Sequence, residues 1–451
     1  MIDTHCHLEM KQFDEDREAV IERARACGVE YMITIASDLA GCEGAVQLAE
    51  RYDFIFASVG LHPHDAKDMS DGALARIKEL SLSGRVVAIG EIGLDYYYDH
   101  SPRDVQRNVF ARQLAFAKVR GLPVIVHSRD AEEDTLRILE ESGVRKGVMH
   151  CFSGDVAMAK RAMALGFHIS IAGPVTFRNA AALKEVAVMV PDELLLIETD
   201  APYLAPEPMR GKRNEPACLV HTAKQIAELR GITLEDIDRI TTLNAKLLFS
   251  IGELPKAKFS YPIRDALYLN ITNRCTSACT FCVRFHSDFV KGHNLMLDRE
   301  PTADELIQEI GEPSRYREIV FCGYGEPLLR LDVVKIVAAW VKAHGGRVRI
   351  NTNGQGNLIH GRNIVPELTG LADSVSISLN AHDAETYERV SKPSFPNAYP
   401  AVIDFIRDAK SHIPEVKVTV VTAEGVDVAR CRQIADELGV PLRIRTLDVV
   451  G

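Results

Sequence analysis

The chain has 451 residues, a net charge of −10 and ordinary shares of hydrophobic (46%) and charged (26%) side chains. A chain of this length exceeds the size at which one hydrophobic core stops growing, so two or more domains are expected. No apolar run approaches the ~20 residues that span a bilayer, and the first residues lack a signal-peptide pattern, which predicts a cytoplasmic protein with no membrane partner. Residues 1–250 carry 29 basic and 38 acidic side chains, which disfavours a broad DNA-binding face.

Short apolar runs alternate with amphipathic stretches through the first half of the chain. Helices such as Glu15–Cys27 and Asp104–Arg120 follow from apolar residues at three- and four-residue spacing. Eight repeats in about 250 residues predict a TIM-type (β/α)8 barrel over residues 1–251. The predicted strands are Ile2–Cys6, Tyr31–Ala36, Ile55–Gly60, Val86–Gly90, Val124–His127, Gly147–Cys151, His168–Ile171 and Leu194–Glu198.

A proline- and lysine-containing segment, residues 252–261, then interrupts the pattern and is interpreted as a linker. A second strand–helix series follows over residues 262–451, and its six repeats predict a partial (β/α)6 barrel. Its predicted strands are Ala266–Ile271, Glu318–Cys322, Arg347–Asn351, Ser374–Leu379, Lys417–Val421 and Leu442–Arg445.

Candidate metal ligands fall at the predicted strand ends of the first barrel. His5 and His7 are two residues apart, so an extended chain points both to one face. Singly, such residues are more often surface groups or helix caps. In a barrel, however, the strand ends meet at one face, which brings these two together with Glu91, His127, His150 and Asp200. Four imidazoles and two carboxylates predict a site for two divalent cations (zinc, magnesium or manganese) that hydrolyses phosphodiester-type bonds.

Local strings of the first half carry a family resemblance. They are Asp3-Thr4-His5-Cys6-His7-Leu8, Gly60-Leu61-His62-Pro63-His64, Gly90-Glu91-Ile92-Gly93-Leu94-Asp95-Tyr96, His127-Ser128-Arg129, His150-Cys151-Phe152-Ser153-Gly154 and Glu198-Thr199-Asp200-Ala201-Pro202-Tyr203-Leu204. Residues 1 to about 251 thereby resemble TatD-family metal-dependent deoxyribonucleases, which implies a DNA end as substrate, cut in the 3'-5' direction. The resemblance implies that one metal is held by His5, His7 and Asp200 and the other by His127 and His150. It also implies that Glu91 bridges them and that Asp200 is the base.

Four further residues of this half are candidates for substrate contact. His62 and His64 match the family strings and either contact phosphate or shape the loop that carries them. Arg210 and Arg213 belong to a basic run that is either a solvated face or a contact for the substrate backbone.

Three cysteines stand within eight residues of the second half. Cys275, Cys279 and Cys282 have the spacing C-x3-C-x2-C. Three thiolates can hold three irons of a [4Fe-4S] cubane and leave the fourth iron open to another ligand. The alternative is a zinc site, for which His286 or His293 is available as fourth ligand.

The cysteine string resembles the radical SAM superfamily signature, and later strings agree with it. These are Gly323-Tyr324-Gly325-Glu326-Pro327-Leu328, Asn351-Thr352-Asn353-Gly354 and Ser376-Ile377-Ser378-Leu379-Asn380. The resemblance implies that the cluster binds S-adenosylmethionine (SAM) and cleaves it to a 5'-deoxyadenosyl radical. SAM-contacting candidates are Gly323, Gly325, Glu326, Asn353, Ser378 and Asn380, although Tyr324 departs from the usual glycines of this motif.

Together the motifs predict a bifunctional enzyme: a metal-dependent hydrolase and a radical SAM enzyme that needs a reductant such as flavodoxin or ferredoxin. One alternative keeps the hydrolase and makes the second domain a zinc-bearing binding module. Another has radical SAM chemistry modify a small metabolite or nucleotide while the barrel hydrolyses a substrate other than DNA. The acidic net charge favours this last version.

Overall fold

Alternating strands and helices build the first half of the computed structural model, which describes residues 1–447 of the chain. The chain divides into two units, Met1–Leu254 and Pro255–Gly451. In the first, the strands are β1 (Ile2–Cys6), β2 (Tyr31–Ile35), β3 (Ile55–Val59), β4 (Val86–Asp95), β5 (Val124–Arg129), β6 (Gly147–Met149), β7 (Phe167–Ile171) and β8 (Leu195–Ile197). Its helices are α1 (Arg17–Ala26), α2 (Leu39–Arg51), α3 (Asp71–Leu80), α4 (Arg103–Arg120), α5 (Glu132–Ser142), α6 (Val156–Ala164), α7 (Ala181–Met189), α8 (Leu219–Arg230) and α9 (Leu234–Phe249).

The eight strands are parallel and pair in chain order, β1 to β8. The last strand approaches the first: the Asp200 amide donates to the His5 carbonyl at 2.9 Å, and the His7 amide donates to the Ala201 carbonyl at 2.8 Å. The prediction of a (β/α)8 barrel is therefore confirmed. Its strand ends gather the candidate ligands at one face.

Packing of the barrel follows the alternation of strand side chains. One buried cluster joins strand residues such as Ile33, Ile125 and Leu196 to the C-terminal end of α9, at Leu248 and Phe249. A larger cluster, including Met32 and Val126, packs the strands against the surrounding helices. Both faces of each strand are thus covered, as a parallel sheet requires.

The second unit contains nine strands and six helices within its described residues. The strands are β9 (Ser260–Ile263), β10 (Ala266–Leu269), β11 (Phe289–Val290), β12 (His293–Asn294), β13 (Glu318–Phe321), β14 (Val348–Thr352), β15 (Ser374–Ser378), β16 (Glu415–Val421) and β17 (Leu442–Arg445). The helices are α10 (Ala303–Ile310), α11 (Leu331–Ala343), α12 (Gly356–His360), α13 (Ala384–Ser391), α14 (Ala398–His412) and α15 (Val428–Leu438). No helix among residues 1–447 is long and apolar enough to cross a membrane.

Six parallel strands of this unit form the predicted partial barrel, in the order β10, β13, β14, β15, β16, β17. The sheet also has a seventh strand: β9 pairs antiparallel with β10, with Pro262 opposite Leu267. The predicted linker, which ended at residue 261, is corrected here, because its last two residues belong to β9. An edge strand tolerates a proline that a central strand would exclude.

Several predicted strand boundaries in the first barrel differ from the structure by one or more residues, and two of them affect the site. Strand β4 continues to Asp95, five residues beyond its predicted end, so Glu91 lies inside the strand and not after it. Strand β6 ends at Met149, which places His150 directly after it. These shifts set where each side chain enters the site.

Candidate functional site

The six candidate ligands of the first unit converge at the C-terminal ends of its strands. His5 lies in β1, His7 directly after it, Glu91 in β4, His127 in β5, His150 directly after β6 and Asp200 three residues after β8. Two of these positions coincide with irregular strand pairing. The register shifts between Asp3 and Cys6 in β1, and between Ile89 and Ile92 in β4. Such bulges change the direction of a side chain and are common beside active sites.

Glu91 is the centre of the arrangement. Its Oε1 lies 2.8 Å from His127 Nδ1 and 2.8 Å from His150 Nε2. The same oxygen lies 3.4 Å from His62 Nε2, and Oε2 lies 3.5 Å from His5 Nε2. Burial alone would raise the pKa of this carboxyl, but the surrounding imidazoles, His150 and His62 first, hold the pKa well below its usual range. Glu91 is therefore a carboxylate in contact with four imidazoles.

Asp200 stands on the other side of His5. Its Oδ1 lies 3.4 Å from His7 Nε2 and 3.7 Å from His5 Nε2, and the two imidazole Nε2 atoms are 3.3 Å apart. The backbone of Asp200 adopts the left-handed conformation, with φ of 56°. This conformation is costly for most residues, but Asp and Asn tolerate it better.

Three groups among residues 1–447 have ligand atoms within 4.8 Å of one another and are able to hold an ion. They are His5, His7 and Asp200; His5, His150 and Glu198; and His62, Glu91 and His127. Imidazole and carboxylate donors bind divalent transition metals at about 2.0–2.2 Å, which corresponds to ligand separations of this order. The donor types and their separations therefore suit divalent metal ions.

Oxygen atoms outside the centre orient three of these imidazoles. Ile35 O lies 2.6 Å from His7 Nδ1, and Asp95 Oδ2 lies 3.2 Å from His127 Nε2. Glu198 Oε1 lies 3.2 Å from His150 Nδ1 and accepts the Cys151 amide hydrogen. Each ring is thereby fixed with its other nitrogen towards Glu91 or Asp200, as is usual for metal-binding histidines. Asp95 and Glu198 belong to the family strings, but no role was predicted for either of them from the sequence.

The pairing of β4 with β5 depends on Gly93, two residues after Glu91. Gly93 has φ of 145°, and a Cβ at this position would lie 2.0 Å from the carbonyl oxygen of His127. Only glycine allows the two strands to approach this closely.

The four candidate substrate contacts of the first unit have different surroundings. His62 contacts Glu91, and burial lowers the pKa of its imidazole to about 4. His64 Nε2 lies 2.9 Å from Asp95 Oδ2. Arg213 is paired with Asp16 at 2.6 Å, whereas exposed Arg210 lies over the Phe177 ring at 4.4 Å. The structure therefore brings His62 and His64 next to the candidate ligands and places Arg213 in an ion pair with the segment before α1.

In the second unit, the three cysteines occupy the loop that follows β10. The Cys282 amide donates to Cys279 O at 3.0 Å, and the Thr280 amide donates to Val390 O at 2.9 Å, which attaches the loop to α13. Burial raises the pKa of Cys275, and burial together with the neighbouring thiols raises that of Cys279 to about 12. These thiols need bound positive charge to become thiolates, which suits a metal cluster.

A buried carboxylate connects the loop after β13 to the end of β14. Glu326 accepts hydrogen bonds from the Leu328 amide (3.0 Å), the Thr352 hydroxyl (2.8 Å) and the Asn353 amide (2.7 Å). Burial raises the pKa of Glu326 to about 7, against the lowering effect of these donors. Gly325 is required here, because a Cβ would lie 2.3 Å from the Arg274 carbonyl oxygen.

The remaining SAM-contact candidates lie around the same loop. Asn353 Nδ2 donates to Thr276 Oγ1 at 2.9 Å and lies 3.8 Å from Cys275 Sγ. Asn380 has φ of 59° and donates to Ser391 Oγ at 3.3 Å. Gly323 is packed against Asn270, where a Cβ would lie 2.0 Å from Oδ1. Ser378 is the last, half-buried residue of β15. The four predicted strings thus meet at one end of the sheet.

The two histidines available to a zinc site have different surroundings. His293 Nε2 lies 3.1 Å from Pro262 O, in the edge strand β9. His286 is exposed, and only its backbone amide bonds locally, to Val283 O at 2.8 Å. Tyr324, the departure from the glycine-rich motif, is buried and donates its hydroxyl to Ser287 O at 2.7 Å.

Comparison with known proteins agrees with this division. Residues 2–250 match the family model described as TatD related DNase, and residues 269–438 match the Radical SAM superfamily. The metal-dependent hydrolase YabD of Bacillus subtilis is 51% identical over 254 residues, which cover 56% of this chain and 100% of YabD. The 3'-5' ssDNA/RNA exonuclease TatD of Cronobacter sakazakii is 38% identical over 55% of this chain and 97% of its own length.

Among solved structures, the TatD homolog YJJV from Escherichia coli K12 superposes with a TM-score of 0.54 and 33% identity. The match covers 56% of this chain and 98% of that protein. The chain therefore belongs to the TatD related DNase family, as a metal-dependent, nuclease-like hydrolase that also carries a Radical SAM domain.

Proposed function

We propose that residues 1–251 hydrolyse phosphodiester bonds at the 3' end of single-stranded nucleic acid with two divalent metals. The observation that carries this proposal is Glu91, a buried carboxylate in contact with four imidazoles and adjacent to the Asp200 group. The name of the Cronobacter sakazakii relative, a 3'-5' ssDNA/RNA exonuclease, supports the class of substrate.

Residues of the first unit would bind the metals, accept a proton and contact the phosphate. His5, His7 and Asp200 would hold one metal, His127 and His150 the other, and Glu91 would bridge them. When bound, such metals activate water and neutralise charge on the phosphoryl oxygens. Asp200 would accept the proton of the attacking water while the water oxygen bonds to phosphorus. The bond from phosphorus to the 3' oxygen of the shortened strand would break, and that oxygen would take up a proton from solvent. His62, on the far side of Glu91 from Asp200, would contact the phosphate.

The substitution Glu91→Gln tests the proposal. Loss of the carboxylate charge should lower the content of divalent metal and reduce hydrolysis of a single-stranded oligonucleotide by at least about 100-fold. Metal is measured by elemental analysis and hydrolysis by the release of mononucleotides. Glu140→Gln, at an exposed position of α5, is the matched control. If metal-loaded wild-type protein releases no nucleotide, the site acts on another phosphoester, such as that of a small metabolite.

For residues 262–451 we propose radical SAM chemistry with one [4Fe-4S] cluster held by Cys275, Cys279 and Cys282. The bound cluster supplies the electron that cleaves the C–S bond of SAM, and a flavodoxin- or ferredoxin-type protein would reduce it. Asn353 and Asn380, which surround the cysteine loop, would contact SAM together with Ser378. Glu326 accepts two hydrogen bonds at Oε1 and one at Oε2, so Oε2 can accept one more. We therefore propose that Glu326 accepts a hydrogen bond from the amino group of SAM and that the backbone of Gly323 and Gly325 lies beside it.

Anaerobic reconstitution tests the second proposal. The expected product binds about four iron and four sulfide ions per chain and cleaves SAM reductively. The triple variant with Cys275, Cys279 and Cys282 each changed to Ala should bind none. One zinc and no iron in the reconstituted wild-type protein would instead establish the zinc-bearing module.

A further inference from the structure

An exposed aromatic surface follows strand β4 at the mouth of the first barrel. Tyr97 and Tyr98 are 57% and 50% exposed, unusually high for side chains of this size. Their rings lie 4.8 Å apart at 89°, and the His100 ring stacks on Tyr98 at 5.5 Å and 12°. The Arg129 guanidinium lies over both tyrosines, at 4.1 Å from Tyr97 and 4.9 Å from Tyr98. Tyr97, Tyr98, His100 and Arg129 are called the tyrosine platform below.

The platform is connected to the candidate metal centre through one carboxylate. Asp95 Oδ1 accepts the backbone amides of Tyr97 (3.0 Å) and Tyr98 (2.9 Å). Asp95 Oδ2 faces His64 Nε2 at 2.9 Å and His127 Nε2 at 3.2 Å. The side chain that orients a candidate ligand therefore also fixes the turn that carries the platform.

Ring contacts give the same connection. The His64 ring lies 5.4 Å from Tyr98 and 4.7 Å from His100, and it lies 6.5 Å from the His127 ring. One imidazole thus separates the platform from a candidate ligand. A base resting on Tyr98 would therefore belong to a nucleotide directly beside the phosphate that reaches the metal centre.

The composition of the platform matches one class of ligand. Exposed aromatic rings bind unpaired bases by stacking, and an arginine beside them adds attraction for the phosphate backbone. Within residues 1–447, Arg129 forms no ion pair, so its charge is not neutralised by a neighbouring carboxylate. The chain has a net charge of −10, which repels nucleic acid overall, so binding of nucleic acid requires a local surface that carries positive charge.

We propose that the tyrosine platform is a stacking subsite for an unpaired base next to the scissile phosphodiester, with Arg129 contacting the adjoining phosphate. This inference rests on the proposed hydrolase function and names the side chains that would hold the base at the single-stranded end. The terminal base of a duplex is held by its pairing partner and by stacking on one neighbour, so the pair would have to open before the base could stack on Tyr98.

Binding without turnover tests the subsite directly. The probe is a fluorescein-labelled single-stranded DNA with a phosphorothioate at its 3'-terminal linkage, added to metal-loaded full-length protein and followed by fluorescence anisotropy. Tyr98→Ala should raise Kd about tenfold, the effect of losing one stacked base. Tyr98→Phe, which restores the ring, should restore the affinity. Leu82→Ala is the control, because Leu82 is 69% exposed in the turn before β4, at the opposite end of the strand.

A second probe with an abasic 3'-terminal residue completes a double-mutant cycle. If Tyr98 stacks on that base, wild-type protein should bind the abasic probe about tenfold more weakly, and Tyr98→Ala should not distinguish the two probes. Independent, additive effects, or no effect of either change, would overturn the subsite. Failure of the proposed hydrolase function has a separate signature: metal-loaded wild-type protein would leave a normal phosphodiester probe intact, whatever the outcome of the binding cycle.

Discussion

At the scale of single residues, the first site depends on how its imidazole rings are oriented. His7, His127 and His150 each present one ring nitrogen to Glu91 or Asp200 and have the other next to an oxygen atom. Such an oxygen fixes the tautomer and makes the facing nitrogen a better metal donor. Glu198 does this for His150 while being almost fully buried, and its Oε2 has no hydrogen-bond partner among the described residues.

Glu198→Gln should therefore weaken metal binding without removing a proposed ligand of the pair of ions. The amide preserves the size of the side chain but replaces the carboxylate oxygen next to His150, and the expected loss is about 10- to 100-fold in metal affinity. Competition with a chromophoric chelator measures this affinity. Unchanged affinity would mean that His150 is oriented without the carboxylate, and Glu140→Gln again serves as the control for the loss of one charge.

At this scale the sequence identified the candidate ligands but not the residues that orient them. His5, Glu91, His127 and Asp200 were predictable because the sequence pattern put each at or near a predicted strand end, where a barrel gathers side chains. Glu198 contacts His150 across 48 residues of sequence. No local spacing indicates such a pair, because it exists only once β6 and β8 have taken their places in the sheet.

Strand β4 is the element that sets the geometry of the first site. It carries Glu91, the register shift beside it, and Gly93, whose missing side chain lets β5 approach. Asp95 is the last residue of β4, and it contacts His127 and the turn after the strand. A change in how β4 packs against β5 would therefore move the candidate ligands of both strands together.

Gly93→Ala should disrupt this pairing. A Cβ at 2.0 Å from a carbonyl oxygen forces the strands apart, and we expect the first unit to lose about 3 kcal/mol or more of stability. Gly231→Ala is the control: its φ is 62° and nothing lies near the added Cβ, so it should cost only about 1–2 kcal/mol. Urea unfolding followed by far-UV circular dichroism measures both, and equal losses would contradict the close-approach argument.

Helix and strand alternation made the elements themselves predictable, whereas two features of packing were not. Ser260 and Tyr261, the first half of β9, were interpreted as linker because this segment and Pro262 break a strand pattern, but an edge position needs only one side of the strand to pair. The extension of β4 to Asp95 was not predicted because glycines such as Gly90 and Gly93 weaken a strand pattern. In this strand both glycines serve close backbone approach.

At the scale of the whole chain, each unit has its own hydrophobic core and its own candidate site. The core residues of the first unit lie within Met1–Ile251, and those of the second begin at Tyr261. The single tryptophan of the chain, Trp340 in α11, belongs to the second unit. Its fluorescence therefore provides a probe of the unfolding of the second unit.

Independence of the two sites predicts a reciprocal result. Cys279→Ala should abolish iron binding after reconstitution while leaving the divalent metal content and nucleotide release of the first unit within about twofold. Glu91→Gln should do the reverse. Elemental analysis of both variants measures the metals, and Trp340 fluorescence during urea unfolding checks that the second unit of Glu91→Gln is unaltered. Loss of both metal types in either variant would show that the sites are coupled.

The left-handed backbone at Asp200 restricts which residues this position can exchange with. Its amide donates a hydrogen bond to the His5 carbonyl, and its own carbonyl accepts one from the Tyr203 amide. These two hydrogen bonds fix the backbone conformation of Asp200. Asn accepts this conformation as readily as Asp, whereas Glu carries a longer side chain with no such local preference. The Asp200→Asn variant is thus expected to fold normally while losing activity. The Asp200→Glu variant is expected to destabilise this turn, although it keeps the carboxylate.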